Sequence, residues 1–157
     1  MQEPTLEQLY EAIKNHVPAV QRDRRLDDAR ALSETVRSQV CGSQLTLDAV
    51  IENDRVQQLG WRVRACSLGQ ATTAIVIKHM EDLDALTVET VGTQLRSILN
   101  GQAFHCDWPE LEVFGAAREI TSRHGSALLP FSALKALFER ARAQDETSGR
   151  VTPGRVT

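Results

Sequence analysis

The chain lacks a CxxC pair, a long apolar run and any surplus of positive charge. Without CxxC, the paired-thiol spacing that marks a zinc ribbon is missing. No uninterrupted apolar stretch approaches the roughly 20 residues that span a bilayer, so no membrane insertion is expected. Lys and Arg number 18 against 21 Asp and Glu, for a net charge of −3 and a pI near 5.8. Phosphate binding needs a concentrated basic surface, so nucleic acid is not expected as a partner. The opening Met1-Gln2-Glu3-Pro4 has neither the basic start nor the apolar stretch of a secretory signal, and a cytoplasmic location is expected. In that compartment Cys41, Cys66 and Cys106 are expected to be reduced, and so free, catalytic or metal-binding rather than a disulfide frame.

The chain has 157 residues, 41% hydrophobic and 25% charged, enough for one domain with its own core. Leu6, Leu9, Tyr10 and Ile13 share one face of a helix predicted over 5–17. Thr5 and Gln8 form its capping-box pattern, and Pro18 is a natural stop. The mixed charges of Arg22, Asp23, Arg24, Arg25, Asp27, Asp28 and Arg30 read as a solvated face or loop. A first strand is expected within 29–40. Leu45, Leu47, Ala49 and Ile51 then alternate with a more polar set, as in a half-buried strand. After a turn at Glu52-Asn53-Asp54, residues 56–65 resume extended character, with Gly60 marking a bulge. From Cys66 the period becomes helical to about residue 80. Further helices are expected over 88–99, from 107 onward, and over 128–143 with Pro130 in its first turn. The polar end, 144–157, is expected to be a disordered tail after a single domain of residues 1–143.

Cys41 lies about a dozen residues before the turn at Asn53, and Cys66 about a dozen after it. In an antiparallel pair, positions equally far from the turn are neighbours. The two thiols are therefore expected at one end of the sheet. Cys66 also opens a helix, where unpaired N–H groups and the dipole favour a thiolate. On spacing alone, two unrelated buried thiols remain the alternative.

Cys41-Gly42-Ser43, the hairpin, and Cys66-Ser67-Leu68-Gly69-Gln70-Ala71-Thr72-Thr73-Ala74 resemble the core of the NifU/IscU-type iron–sulfur cluster assembly scaffolds. The stretch from Leu111 to Ile120, followed by Arg123, is similar to the segment leading to that family's third cysteine. Its spacing, with Leu9-Tyr10, resembles the SufU-like branch. The likeness spans roughly residues 6–140. It implies an α+β fold: a small antiparallel sheet of about three strands, with an N-terminal helix and C-terminal helices packed on one face. It implies a non-enzymatic scaffold that accepts sulfur from a cysteine desulfurase, binds iron, zinc or an Fe–S cluster through thiolates, and passes clusters to acceptor proteins.

The departures are specific. Ser43 stands where the family has its turn aspartate, and Ser126 where it has the third cysteine. A serine hydroxyl is a poor ligand at neutral pH. Of the family's ligand positions, Cys41 and Cys66 survive, so a zinc or iron ion or a cluster would be weakly bound or absent. His124 and Cys106 are additional candidate ligands. His124 can equally be a helix-end residue, and Cys106 an extra thiol. A homodimer sharing two cysteines per chain would supply the usual four thiolates. The alternative is a degenerate, metal-free family member acting through protein contacts on the assembly machinery. A cysteine-dependent enzyme using Cys66 and His124 would need an orienting third residue, and the sequence presents none.

Overall fold

The computed structural model describes residues 3–147. Helix α1, Leu6–His16, starts where the sequence places its cap: the Thr5 hydroxyl accepts from the Gln8 N–H, and the Gln8 side chain accepts from the Thr5 N–H. An antiparallel three-stranded sheet follows in the order β1 (Leu32–Arg37), β2 (Gln44–Glu52), β3 (Arg55–Arg64). Three helices come after it: α2 (Ser67–Lys78), α3 (Ala85–Leu99) and α4 (His124–Thr147). The architecture is the expected α+β one. No helix among the described residues is long and apolar enough to cross a membrane.

Helix α2 is the centre of the helical layer. Its buried residues, Leu68, Gly69, Ala71, Thr72, Thr73, Ala74, Ile75 and Val76, run round the whole helix. Small side chains allow that, because neighbours can approach from every side. α3 instead shows a stripe, with Val88, Val91, Leu95 and Ile98 buried at three- and four-residue spacing. These faces meet Leu45, Leu47 and Ala49 of β2 and Trp61 and Val63 of β3 in one core.

The hairpin joining β2 and β3 turns at Asn53 and Asp54, which adopt φ of 55° and 60°. Short polar side chains tolerate this left-handed region. The bulge, however, is not at Gly60. The register shifts where Val50 pairs with Gln58 and Ile51 with Val56, leaving Gln57 as the extra residue. Gly60 serves a different need. A Cβ there would lie 2.6 Å from the Arg24 carbonyl and 2.8 Å from Asp48 Oδ2.

That contact also revises the reading of the charged arm. Arg24 forms a bridge to Trp61 at the outer edge of β3, and the Trp61 indole donates to the Arg22 carbonyl. Arg25 donates twice to the carboxylate of Asp48, which is buried and also accepts from Ser33 and the Leu26 N–H. Burial pushes the Asp48 carboxyl up, and these three donors outweigh it. The arm is exposed, but it is docked rather than simply solvated.

Two helical expectations change. The segment from Pro109 to Ala117 is a 3₁₀ helix capped at Trp108. Helix α4 starts four residues earlier than expected, at His124 rather than 128, because a 3₁₀ turn over Thr121–Arg123 leads straight into it. Pro130 thus lies inside the helix rather than in its first turn. Lacking an N–H, it cannot bond the Ser126 carbonyl four residues back. α4 runs on to Thr147, and the rest of the tail expected from residue 144 lies outside the described residues.

Candidate functional site

Arg37 pairs with Gln44, and Gln44 pairs with Arg64, so the β1–β2 turn and the β3–α2 junction share one end of the sheet. Cys41 sits in that turn, which closes by Ser38 N–H to the Ser43 carbonyl (2.8 Å) and Gly42 N–H to the Ser38 carbonyl (3.0 Å). Gly42, at φ 73°, supplies the left-handed residue the turn needs. Cys66 is the N-cap of α2.

Ser43 joins the two. Its Oγ lies 3.2 Å from Cys41 Sγ and 3.1 Å from the Cys66 N–H nitrogen. It also lies 3.1 Å from Ser126 Oγ, which in turn is 3.2 Å from Cys66 Sγ. A continuous chain therefore runs Cys41–Ser43–Ser126–Cys66. Both serines are buried, and both cysteines are partly exposed free thiols.

Counting protons constrains this chain. A serine hydroxyl has one proton to give and two lone pairs to accept with. Ser43 must accept from the Cys66 N–H, so it cannot also accept from both Cys41 and Ser126. One arrangement has Cys66 donating to Ser126, Ser126 to Ser43, and Ser43 to a Cys41 thiolate. The reverse has Cys41 donating to Ser43, Ser43 to Ser126, and Ser126 to a Cys66 thiolate. Each satisfies every group with a single negative charge. With both thiols ionised, Ser43 donating to Cys41 and Ser126 to Cys66 leaves no proton between the two hydroxyls.

The electrostatics favour an anion. The Ser38 hydroxyl, 3.4 Å from Cys41 Sγ, and then the Ser43 hydroxyl lower the Cys41 thiol to about 7. Burial pushes the Cys66 thiol up, but the Ser126 hydroxyl, the Gly69 N–H, the Arg123 guanidinium and the Leu68 N–H leave it below its ordinary value. The first-turn N–H groups thus face the sulfur without closing a cap hydrogen bond. The charge of Arg123 reaches Cys41 as well.

The other candidates are placed elsewhere. His124 opens α4, and its Nε2 donates to the Ala117 carbonyl at 2.9 Å, tethering the helix start to the preceding 3₁₀ segment. Cys106 is buried among core residues, and its N–H donates to Glu112. Burial pushes the Cys106 thiol up, and the carboxylates of Asp107, Glu112 and Glu110 add to this. Among the described residues, no group of three or more His, Cys, Asp or Glu side chains converges to hold a metal ion. Two thiols and two hydroxyls do not make a four-ligand zinc site.

Three positioning features were not foreseen from the sequence: Ser38, Arg123 and the glycines that let α4 come close. A Cβ at Gly69 would lie 2.3 Å from Ser126 Oγ and 3.0 Å from the Ser126 carbonyl oxygen. One at Gly125 would lie 2.9 Å from Ser38 Oγ. The glycine in Ser67-Leu68-Gly69-Gln70, at a helix start where it costs helix propensity, was the available signal.

A three-stranded antiparallel sheet backed by helices is the fold this chain shares with NifU-like proteins. The NifU-like N-terminal protein from Brucella abortus superposes with a TM-score of 0.79 at 22% identity, over 88% of this chain and 98% of that one. A proposed iron–sulfur cluster assembly scaffold for the SUF system, from Fervidobacterium islandicum AW-1, superposes with a TM-score of 0.70 at 17% identity, over 80% of this chain and 93% of that one. No family model and no curated protein matches the sequence. At these identities the likeness is one of fold.

Proposed function

We propose that this chain is a scaffold-type protein of iron–sulfur cluster assembly, in which Cys41 and Cys66 accept sulfur and hold iron or a nascent cluster. The observation that carries the reading is the convergence of two partly exposed, anion-favouring thiols on the bonded Ser43–Ser126 hydroxyl pair, at one end of a fold shared with a NifU-like protein and a proposed SUF-system scaffold. The cluster is cargo here, and a carrier must release what it holds. Two thiolates per chain suit that task, with a second chain completing the four that a cluster takes. A single zinc or iron ion would be held weakly by one chain. The partners on this reading are a cysteine desulfurase, which supplies sulfur, and Fe–S acceptor proteins, in a cytoplasmic setting.

The test is anaerobic reconstitution of the full chain with ferrous iron and inorganic sulfide, followed by iron and sulfide analysis. Wild type is expected to gain cluster absorbance, and Cys66→Ala to lose it while keeping its far-UV circular dichroism. One feature favours the second reading, a metal-free partner of the assembly machinery. Ser43 and Ser126 occupy two ligand positions of the resembled family and bond to the thiols instead. A wild type that never forms a cluster, yet binds a desulfurase equally well with and without Cys66, decides for that reading.

A further inference from the structure

Cys106 is buried in the core with its N–H bonded to Glu112. Among the described residues no group of three or more His, Cys, Asp or Glu side chains gathers to hold a metal, so within the chain the exposed reaction partner of Cys41 is Cys66. We propose that the pair discharges sulfane sulfur: Cys41 carries it as a persulfide, and Cys66 resolves that persulfide, releasing hydrosulfide and leaving a Cys41–Cys66 disulfide. The step rests on the sulfur-accepting reading only for the identity of the cargo.

Geometry assigns the roles. Cys41 belongs to a turn whose neighbour Val40 is 76% exposed, and beside Gly42 there is open space where a Cβ would stand. An incoming sulfur donor can reach it there. Cys66 is the fixed member, with its N–H held by Ser43 Oγ and its thiol by Ser126 Oγ. The sulfur of Cys41 is held by Ser43 Oγ at 3.2 Å, and Ser43 Oγ is bonded to Ser126 Oγ. Holding a nucleophile and its target on one small frame makes an exchange that is slow between molecules effectively unimolecular.

The step balances. Cys66 sulfur attacks the inner sulfur of the Cys41 persulfide anion, as in any thiol–disulfide exchange. The bond between inner and outer sulfur breaks, and the outer sulfur leaves with the electron pair. The Cys66 thiol gives its proton to solvent as it attacks, and the departing sulfur takes one from solvent, so that it leaves as hydrosulfide. Cys41 lies in the exposed turn between Val40 and Gly42, so the departing sulfur has an open route to solvent. The disulfide that remains is returned to two thiols by a dithiol reductant, which closes the cycle.

The experiment uses the reduced full chain without iron and loads it with inorganic polysulfide under anaerobic conditions. After rapid desalting, sulfide release is followed, and intact mass and peptide mapping locate the sulfur. Wild type is expected to release about one sulfide per chain and to end two hydrogens lighter than the reduced protein, with Cys41 linked to Cys66. Cys66→Ala and Cys66→Ser are expected to keep one added sulfur atom on Cys41. Ser126→Ala keeps both thiols and is expected to slow release without abolishing it. A wild type that retains its added sulfur, never takes it up, or is matched in release rate by Cys66→Ala overturns the proposal. The cluster test above uses iron and ready-made sulfide, so either idea can fail while the other stands.

Discussion

Cys41 owes its acidity to two hydroxyls, which makes its titration a direct test of the turn. Its folded value of about 7 lies below the ordinary 9.0 of a thiol, so the fold favours the thiolate. Stability drawn from that preference is full above pH 9.0 and is lost as pH falls through about 7. Alkylation of Cys41 by iodoacetamide should therefore rise with pH about a midpoint near 7, and Ser38→Ala should move the midpoint upward, because the largest stabilising hydroxyl is gone. Peptide-resolved alkylation rates check both. A second residue-scale prediction concerns Ser126, which is fully buried and bonded to Cys66 Sγ. Ser126→Cys would bring a third thiolate to the site and should strengthen zinc binding under reducing conditions by at least about tenfold, or 1.4 kcal/mol. Equal affinities for wild type and variant would mean that position 126 does not face the bound ion. The thiols were legible from their spacing about the hairpin. Ser43 and Ser126 were placed at the site only by the resemblance; that their hydroxyls bridge the thiols could not be read, because they lie 83 residues apart and serine is an ordinary turn residue.

The site exists because two helices begin at the same place. α2 opens beside β3, and α4 is brought against its first turn only because residue 69 has no side chain. Gly69→Ala would place a Cβ 2.3 Å from Ser126 Oγ and 2.9 Å from the Cβ of Ala65, and neither neighbour is the far end of a flexible chain. Overpacking of this kind costs about 1–3 kcal/mol, in spite of alanine's better helix propensity. Urea unfolding should show that loss. In a double-mutant cycle, Gly69→Ala with Ser126→Ala should be less destabilised than the sum of the singles, because one of the clashes is removed. Additive losses would show that α4 has shifted away rather than strained against α2. At this scale the alternating strands, the capping box of α1 and the helix after Cys66 could be read directly, since local periodicity and caps determine them. The start of α4 could not. Pro130 looks like a first-turn proline, yet the helix begins six residues before it, straight out of the Thr121–Arg123 turn. The charged arm misled as well: its anchor, Asp48, is buried in β2, where alternation alone predicts a polar residue facing solvent.

Taken whole, the molecule offers the two thiols at one end of a sheet whose opposite end is closed by the Asn53-Asp54 turn. Residues of a single chain cannot surround a cluster from there, since the remaining thiol is buried in the core and the nearest hydroxyls are committed to the thiols. The exposed turn carrying Val40, Cys41 and Gly42 is free to meet its copy. If a cluster is taken up, ligand count then requires two chains, and oligomeric state should follow loading. Anaerobic sedimentation of the reduced, iron-free chain is expected to give a monomer. After reconstitution, the absorbing species should sediment as a dimer with four thiolates around one cluster, and dilution should lose the absorbance and the dimer together. Cys41→Ala should abolish both, because each chain would then offer a single thiol. A cluster that remains on a monomer would show that other ligands, from small thiols or solvent, complete the site. A dimer that persists without iron would show that the chains meet through another face. Coincident loss on dilution is the result that ties assembly to the two thiolates a single chain does not supply.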